Sequence, residues 1–147
     1  MAKQKTIEVT TTVTRHMPQF SRLATIPLEK VAPWKLAVTT VVEGTINGVE
    51  VGRRSMKRWD DRNCWWIDLP DALCKKLSID DGDKVDLVLR LACEELPQEL
   101  SDLLTTNKTA KSRWEEMTAS QQRMLREEVY AAKSSEARTR RAAKYLT

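Results

Sequence analysis

Near residue 96 the spacing of apolar residues changes from every second position to every third or fourth. A chain written this way folds as sheet first and helices afterwards. Before the change, Ile7, Val9, Thr11 and Val13 alternate with Glu8, Thr10 and Thr12, and Val85, Leu87, Leu89 and Leu91 alternate within Lys84 to Leu91. Leu36 to Ile46 is rich in Val and Thr and runs into Asn47-Gly48, after which Val49 and Val51 continue. Asn-Gly between β-branched runs predicts a hairpin, because both central residues of a type I′ turn need positive φ. Phe20 to Leu28 and Cys64 to Leu69 read as two more strands, and the polar Arg53 to Asn63 as a loop or strand end. The expected organisation is a β-barrel over residues 1–95 and a helical tail over 96–147.

Helix signals are local and chemical. Proline suits a first helical turn, so Pro27 predicts one turn over Leu28 to Val31, stopping before Pro33. Pro70-Asp71 likewise predicts a short helix, with Leu73 and Leu77 on one stripe. In the tail, Pro97 starts Gln98 to Leu104 and Asn107 caps Lys108 to Met117. Thr118 and Gln121 have capping-box spacing ahead of Gln122 to Lys133, where Leu125 and Val129 share a face. Ser135 is the expected cap of Glu136 to Leu146.

One pattern occurs twice. Thr25-Ile26-Pro27-Leu28 precedes Val38 to Val42, and Ile67-Asp68-Leu69-Pro70 precedes Val85 to Leu89, with the two prolines 43 positions apart. Strand, proline, short helix, strand in each half suggests a duplicated unit about a pseudo-two-fold axis.

Trp66 to Leu73, continued by Ile79-Asp80-Asp81-Gly82-Asp83-Lys84-Val85, resembles the AbrB/MazE swapped-hairpin pattern. More of the chain, roughly residues 8 to 146, resembles a bacterial and archaeal family of unknown function. That family has a double-split β-barrel and a C-terminal part labelled bacteriocin-protection, YdeI- or OmpD-associated. The similarity rests on Gly44-Thr45-Ile46-Asn47-Gly48, Gly82-Asp83-Lys84-Val85, Leu96-Pro97-Gln98-Glu99-Leu100, Ala132-Lys133 and Glu136 to Arg141. It implies a fold class of mainly β plus α, a double-split, AbrB-like barrel followed by a small helical region. Ala137, where the family usually has Thr, and Val49-Glu50-Val51 depart from the pattern.

The chemistry-bearing residues are sparse. A single histidine, His16, rules out a multi-His metal site and reads as a loop residue. Cys64, Cys74 and Cys93 are odd in number and lack CxxC spacing, so they are expected as unpaired, buried or half-buried thiols. Asp80-Asp81-Gly82-Asp83 lacks the later ligands of a calcium loop and reads as a turn. Four glycines in all argue against a phosphate-cradling loop. No catalytic residue, metal ligand or cofactor site is assigned, and the expectation is no enzyme and no cofactor.

Two basic clusters remain as candidate anion- or partner-binding residues. Arg53, Arg54, Lys57 and Arg58 lie beside Trp59, and Lys133, Arg138, Arg140, Arg141 and Lys144 fall in the last helical region. Helical spacing would put Lys133, Arg140, Arg141 and Lys144 on one stripe, either binding an anion or paired with Glu127, Glu128 and Glu136. Adjacent Trp65 and Trp66 must point to opposite faces of a strand, one of them into the core.

The charge of +4 is the balance of 25 basic and 21 acidic residues, so it does not by itself call for a polyanion. No apolar run is long enough to span a bilayer and Met1 to Val13 lacks a signal-peptide core, which gives a cytoplasmic expectation. The first expectation is a non-enzymatic binding module, monomeric or weakly dimeric, with an acidic partner or ligand. The alternative is a nucleic-acid-binding regulator of AbrB-like type, possible but not favoured because that DNA surface arises from a dimer of single units. A pocket enzyme or small-ligand binder ranks last.

Overall fold

The alternating segment that begins the chain forms strand β1, Ile7–Thr12, with Val9 buried and Glu8 and Thr10 in solvent. A computed structural model describes residues 6–15, 17–36 and 39–147, so His16 and the stretch 37–38 of the expected third strand lie outside the described residues. Two compact units are distinguished, Met1–Ala92 and Cys93–Thr147.

In the first unit β1 is followed by β2, Arg22–Pro27, then the single-turn helix α1, Leu28–Val31. Next come β3, Thr40–Ile46, and the short β4, Val49–Glu50, joined by Asn47 and Gly48 at φ of 51° and 79°. The hairpin therefore forms where Asn-Gly places it. β5, Arg54–Trp59, leads through a 3₁₀ turn to β6, Cys64–Leu69, helix α2, Asp71–Leu77, and β7, Lys84–Leu91. Pro27 and Pro70 stand before their helices in almost the same conformation, φ/ψ of −60°/146° and −58°/156°.

All strand pairs are antiparallel, in the order β1-β7-β3-β5-β6-β2, with β4 on β3. The ends of this path meet at an isolated bridge between Thr14 and Leu23 and a 3.2 Å contact between the Thr11 and Thr25 hydroxyls. The result is a nearly closed antiparallel barrel. Exchanging β1, β2 and β3 for β5, β6 and β7 carries the β1–β7 pair onto β5–β3 and leaves β2–β6 and β3–β7 unchanged. The same exchange carries β5–β6 onto β1–β2, and that is where the ladder is reduced to one bridge.

Every second residue fills the interior: Ile26, Met56, Ile67, Leu87 and Leu89 are fully buried, and Leu73 and Cys74 of α2 join them. Each such side chain contributes about 1.5–3 kcal/mol on leaving water. Arg53 to Asn63, expected as a loop or strand end, instead supplies β5 in the middle of the sheet. The expectation missed it because only Met56 of that strand is buried, so its alternation is written mainly in polar residues.

Arg22 anchors the base of the barrel. Its Nε lies 2.6 Å from Asp80 Oδ1 and its Nη1 2.9 Å from Asp71 Oδ1, while Arg15 Nε is 2.9 Å from Asp81 Oδ2. The Asp81 N–H, donating at 2.7 Å, and next the Arg22 guanidinium hold the Asp80 carboxyl below the usual carboxylate range. A depressed folded pKa gives stability that is present above the unfolded value, about 3.9, and is lost as pH falls through the lower folded value. Asp80→Asn should therefore lower Tm at neutral pH, with the gap from the parent closing below about pH 4. Melting curves with a gap independent of pH would refute this role for the carboxylate.

The second unit has four helices: α3, Gln98–Thr106; α4, Lys108–Glu116; α5, Ala119–Ala131; and α6, Ser135–Leu146. They close over Leu100, Ala110, Leu125, Val129, Ala142 and Leu146. The Asn107 side chain accepts from the Ala110 N–H, and Thr118 and Gln121 form the capping box their spacing predicts. The last cap is Ser134, one residue before the expected Ser135.

Candidate functional site

The β5–β6 register decides which side chains share a surface. Met56 pairs with Ile67 facing inward, so Lys57 opposite Trp66 and Trp59 opposite Cys64 face outward. Arg58, opposite Trp65, lies on the inner side of the strand but is exposed and paired with Asp60. Trp65 is buried in the barrel, while Trp66 stands half-exposed on the outer face. The two tryptophans thus divide between core and surface, as adjacent strand residues must.

On that outer face the Trp59 and Trp66 rings meet edge to face, centroids 6.4 Å apart. Lys57 Nζ lies 5.1 Å from the Trp66 centroid, and the Arg62 guanidinium 4.7 Å from that of Trp59. Both cations are exposed, and among the described residues neither forms an ion pair. Beside the rings, Phe20, Ser21, Leu23 and Asp68 complete a concavity of about 450 Å³. Leu23 pairs with Asp68 across β2 and β6 and is buried although it faces away from the barrel interior, so it forms the floor. Phe20 is 51% exposed at the rim.

The candidate arginines separate by role. Arg53 is half-buried just before β5. Arg54 Nε donates to the Val51 carbonyl at 2.9 Å, and burial pushes its pKa down, which makes it part of the turn structure. Arg58 pairs with Asp60 at 3.2 Å and sits 6.0 Å from the Trp65 centroid. From this cluster Lys57 joins the aromatic face, and Arg62, absent from the sequence candidates, joins it there. The available signal was the three-residue step from Trp59 across a tight turn.

The expected cationic stripe of the tail does not form as one helical face. Lys133 precedes the Ser134 cap and lies outside α6. Arg138 Nε donates to the Ala132 carbonyl at 3.0 Å, and Arg141 Nη1 to the Glu128 carbonyl at 2.9 Å, so both tie α6 to the segment before it. Arg138 also lies near Glu99, whose carboxyl is held below its usual range by its own backbone N–H, the Ser135 hydroxyl and Arg138. Arg140 is exposed, and Lys144 Nζ lies 5.4 Å from the Tyr145 ring centroid. Glu127 pairs with Arg126 at 2.8 Å, and the Glu128 carboxylate accepts from the Tyr145 hydroxyl at 3.2 Å.

Among the described residues the cysteines form no disulfide: Cys64 is half-buried, Cys74 buried, and Cys93 exposed, contrary to the expectation that all three are at least half-buried. Burial pushes the Cys64 and Cys74 thiols up, against the lowering influence of Arg62 and Arg22. The Asp80–Asp83 segment is a turn, in which the Asp80 N–H donates to Asp83 and the Asp81 N–H to Asp80. Among the described residues no group of His, Cys, Asp and Glu is arranged to hold a metal, and no helix is long and apolar enough to cross a membrane.

The family described as bacteriocin-protection, YdeI or OmpD-associated matches residues 95–147, the stretch that contains α3 to α6. No curated protein and no solved structure matches the chain.

Proposed function

We propose that this chain is a non-enzymatic binding module of the YdeI- or OmpD-associated kind that takes an acidic partner on the outer β5–β6 face. The observation that carries the reading is the placement of Lys57 and Arg62, exposed and with no carboxylate partner among the described residues, over the rings of Trp66 and Trp59. Cations that rest on ring faces keep their charge available to a ligand, whereas Arg54 and Arg58 are already engaged by Val51 and Asp60. Thiols pushed upward by burial are poor nucleophiles, which supports binding over covalent catalysis at Cys64 and Cys74. The barrel reads as double-split and AbrB-like, supported by the internal two-fold relation of its strand pairs. A sheet nearly closed within one chain supports a monomeric or weakly dimeric state, and cysteines that form no disulfide among the described residues support a cytoplasmic setting.

Chromatography on immobilised poly-L-glutamate tests the reading. The parent chain should be retained at low salt, and a Lys57→Gln/Arg62→Gln variant with unchanged circular dichroism should elute at clearly lower salt. A parent chain that passes straight through at low salt would end it.

A further inference from the structure

The outer face holds more than charge, and its apolar part narrows the class of partner. We infer that the β5–β6 face binds single-stranded nucleic acid, with a base against Trp59 and Trp66 and the neighbouring phosphates on Lys57 and Arg62. This rests on the reading of that face as an anion-binding surface.

Three observations point the same way. First, the concavity of about 450 Å³ is walled by Phe20, Trp59 and Trp66 and floored by Leu23, which suits a flat apolar group. An acidic side chain uses the cations and gains nothing from the indoles, whereas a nucleotide supplies a π-face and an anion together. Second, Lys57 and Arg62 flank the rings instead of plugging the concavity, where a backbone running over β5 and β6 would carry its charge. Their long side chains can leave the ring faces for phosphate without breaking an ion pair among the described residues. Third, the polar groups inside the concavity are Ser21 and Asp68. A carboxylate there repels phosphate but accepts from the exocyclic amino group of a base, which orients the base inward and the backbone outward. In a duplex the base faces are stacked and hidden, so only an unpaired strand can present one to the rings.

Anisotropy of a fluorescein-labelled short oligodeoxycytidylate, whose bases carry an exocyclic amino group, titrated with the intact chain at neutral pH, tests this. Trp66→Ala should weaken binding about 5- to 150-fold, and Trp66→Phe, which keeps a stacking ring, should recover much of it. Lys57→Ala and Arg62→Ala should each reduce the slope of log affinity against log salt by about 0.7. A duplex of the same length binding equally well would overturn the inference. So would poly-L-glutamate competing as strongly as the oligonucleotide with Trp66→Ala without effect; the acidic-partner reading would then stand alone. Failure of the parent chain to bind either polyanion would overturn both. Melting temperatures of the variants separate lost contacts from lost fold.

Discussion

Gly44→Ala should destabilise the barrel by on the order of 3–5 kcal/mol, a large part of the 5–15 kcal/mol of a typical domain. Gly44 sits in β3 at φ 149°, a region L side chains rarely adopt, and pairs with Leu89 on β7. A Cβ built there overlaps the Val88 carbonyl oxygen and comes within 2.9 Å of its carbonyl carbon and 3.1 Å of Leu89 Cα. Those atoms are backbone in the central ladder, and they cannot rotate aside as a surface side chain would. Gly48→Ala is the internal comparison. Its φ is 79° but nothing lies within 4 Å of the added carbon, so only the turn conformation is penalised, by about 1 kcal/mol. Urea denaturation of both variants decides the matter. Equal midpoints would mean that the close β3–β7 approach is wrong.

Trp65→Ala should cost about 3–5 kcal/mol, because the ring is 2% exposed and its removal leaves a void among packed neighbours. Trp66→Ala, one residue on, should cost about 1 kcal/mol, since its ring is half-exposed on the outer face. The contrast tests the register directly, because a slip of one residue exchanges the two faces of a strand. If Trp66→Ala proved the more damaging, the β6 pairing with β2 and β5 would have to move by one position. The outer concavity would then lose its tryptophan wall.

Much of the barrel was legible because it is written in local chemistry. β1 and β7 announce themselves through alternation, β6 through a short aromatic-rich run, the β3–β4 hairpin through Asn47-Gly48, and α1 and α2 through Pro27 and Pro70. The helix caps at Asn107 and Thr118 were legible for the same reason, since a cap needs only residues three apart. β5 was not, because burial of Met56 alone leaves no visible apolar period. The tail stripe failed at Lys133 because helical spacing says which residues align only once the helix start is known, and Ser134 moves that start beyond it.

The candidate site shows the same division. Residue types alone marked Arg53 to Arg58 as cationic and set Trp65 and Trp66 on opposite faces. Chemistry carried by one residue and its near neighbours (alternation, turn formation, capping, side-chain charge) is complete in the primary structure. Which tryptophan faces out, which cations are engaged by carbonyls or carboxylates, and that Phe20, Leu23 and Asp68 meet Trp59 and Trp66 were decided only on folding. Those contacts join β2, β5 and β6, which become neighbours through non-local pairing, and no spacing along the chain encodes a register between strands that are distant in it.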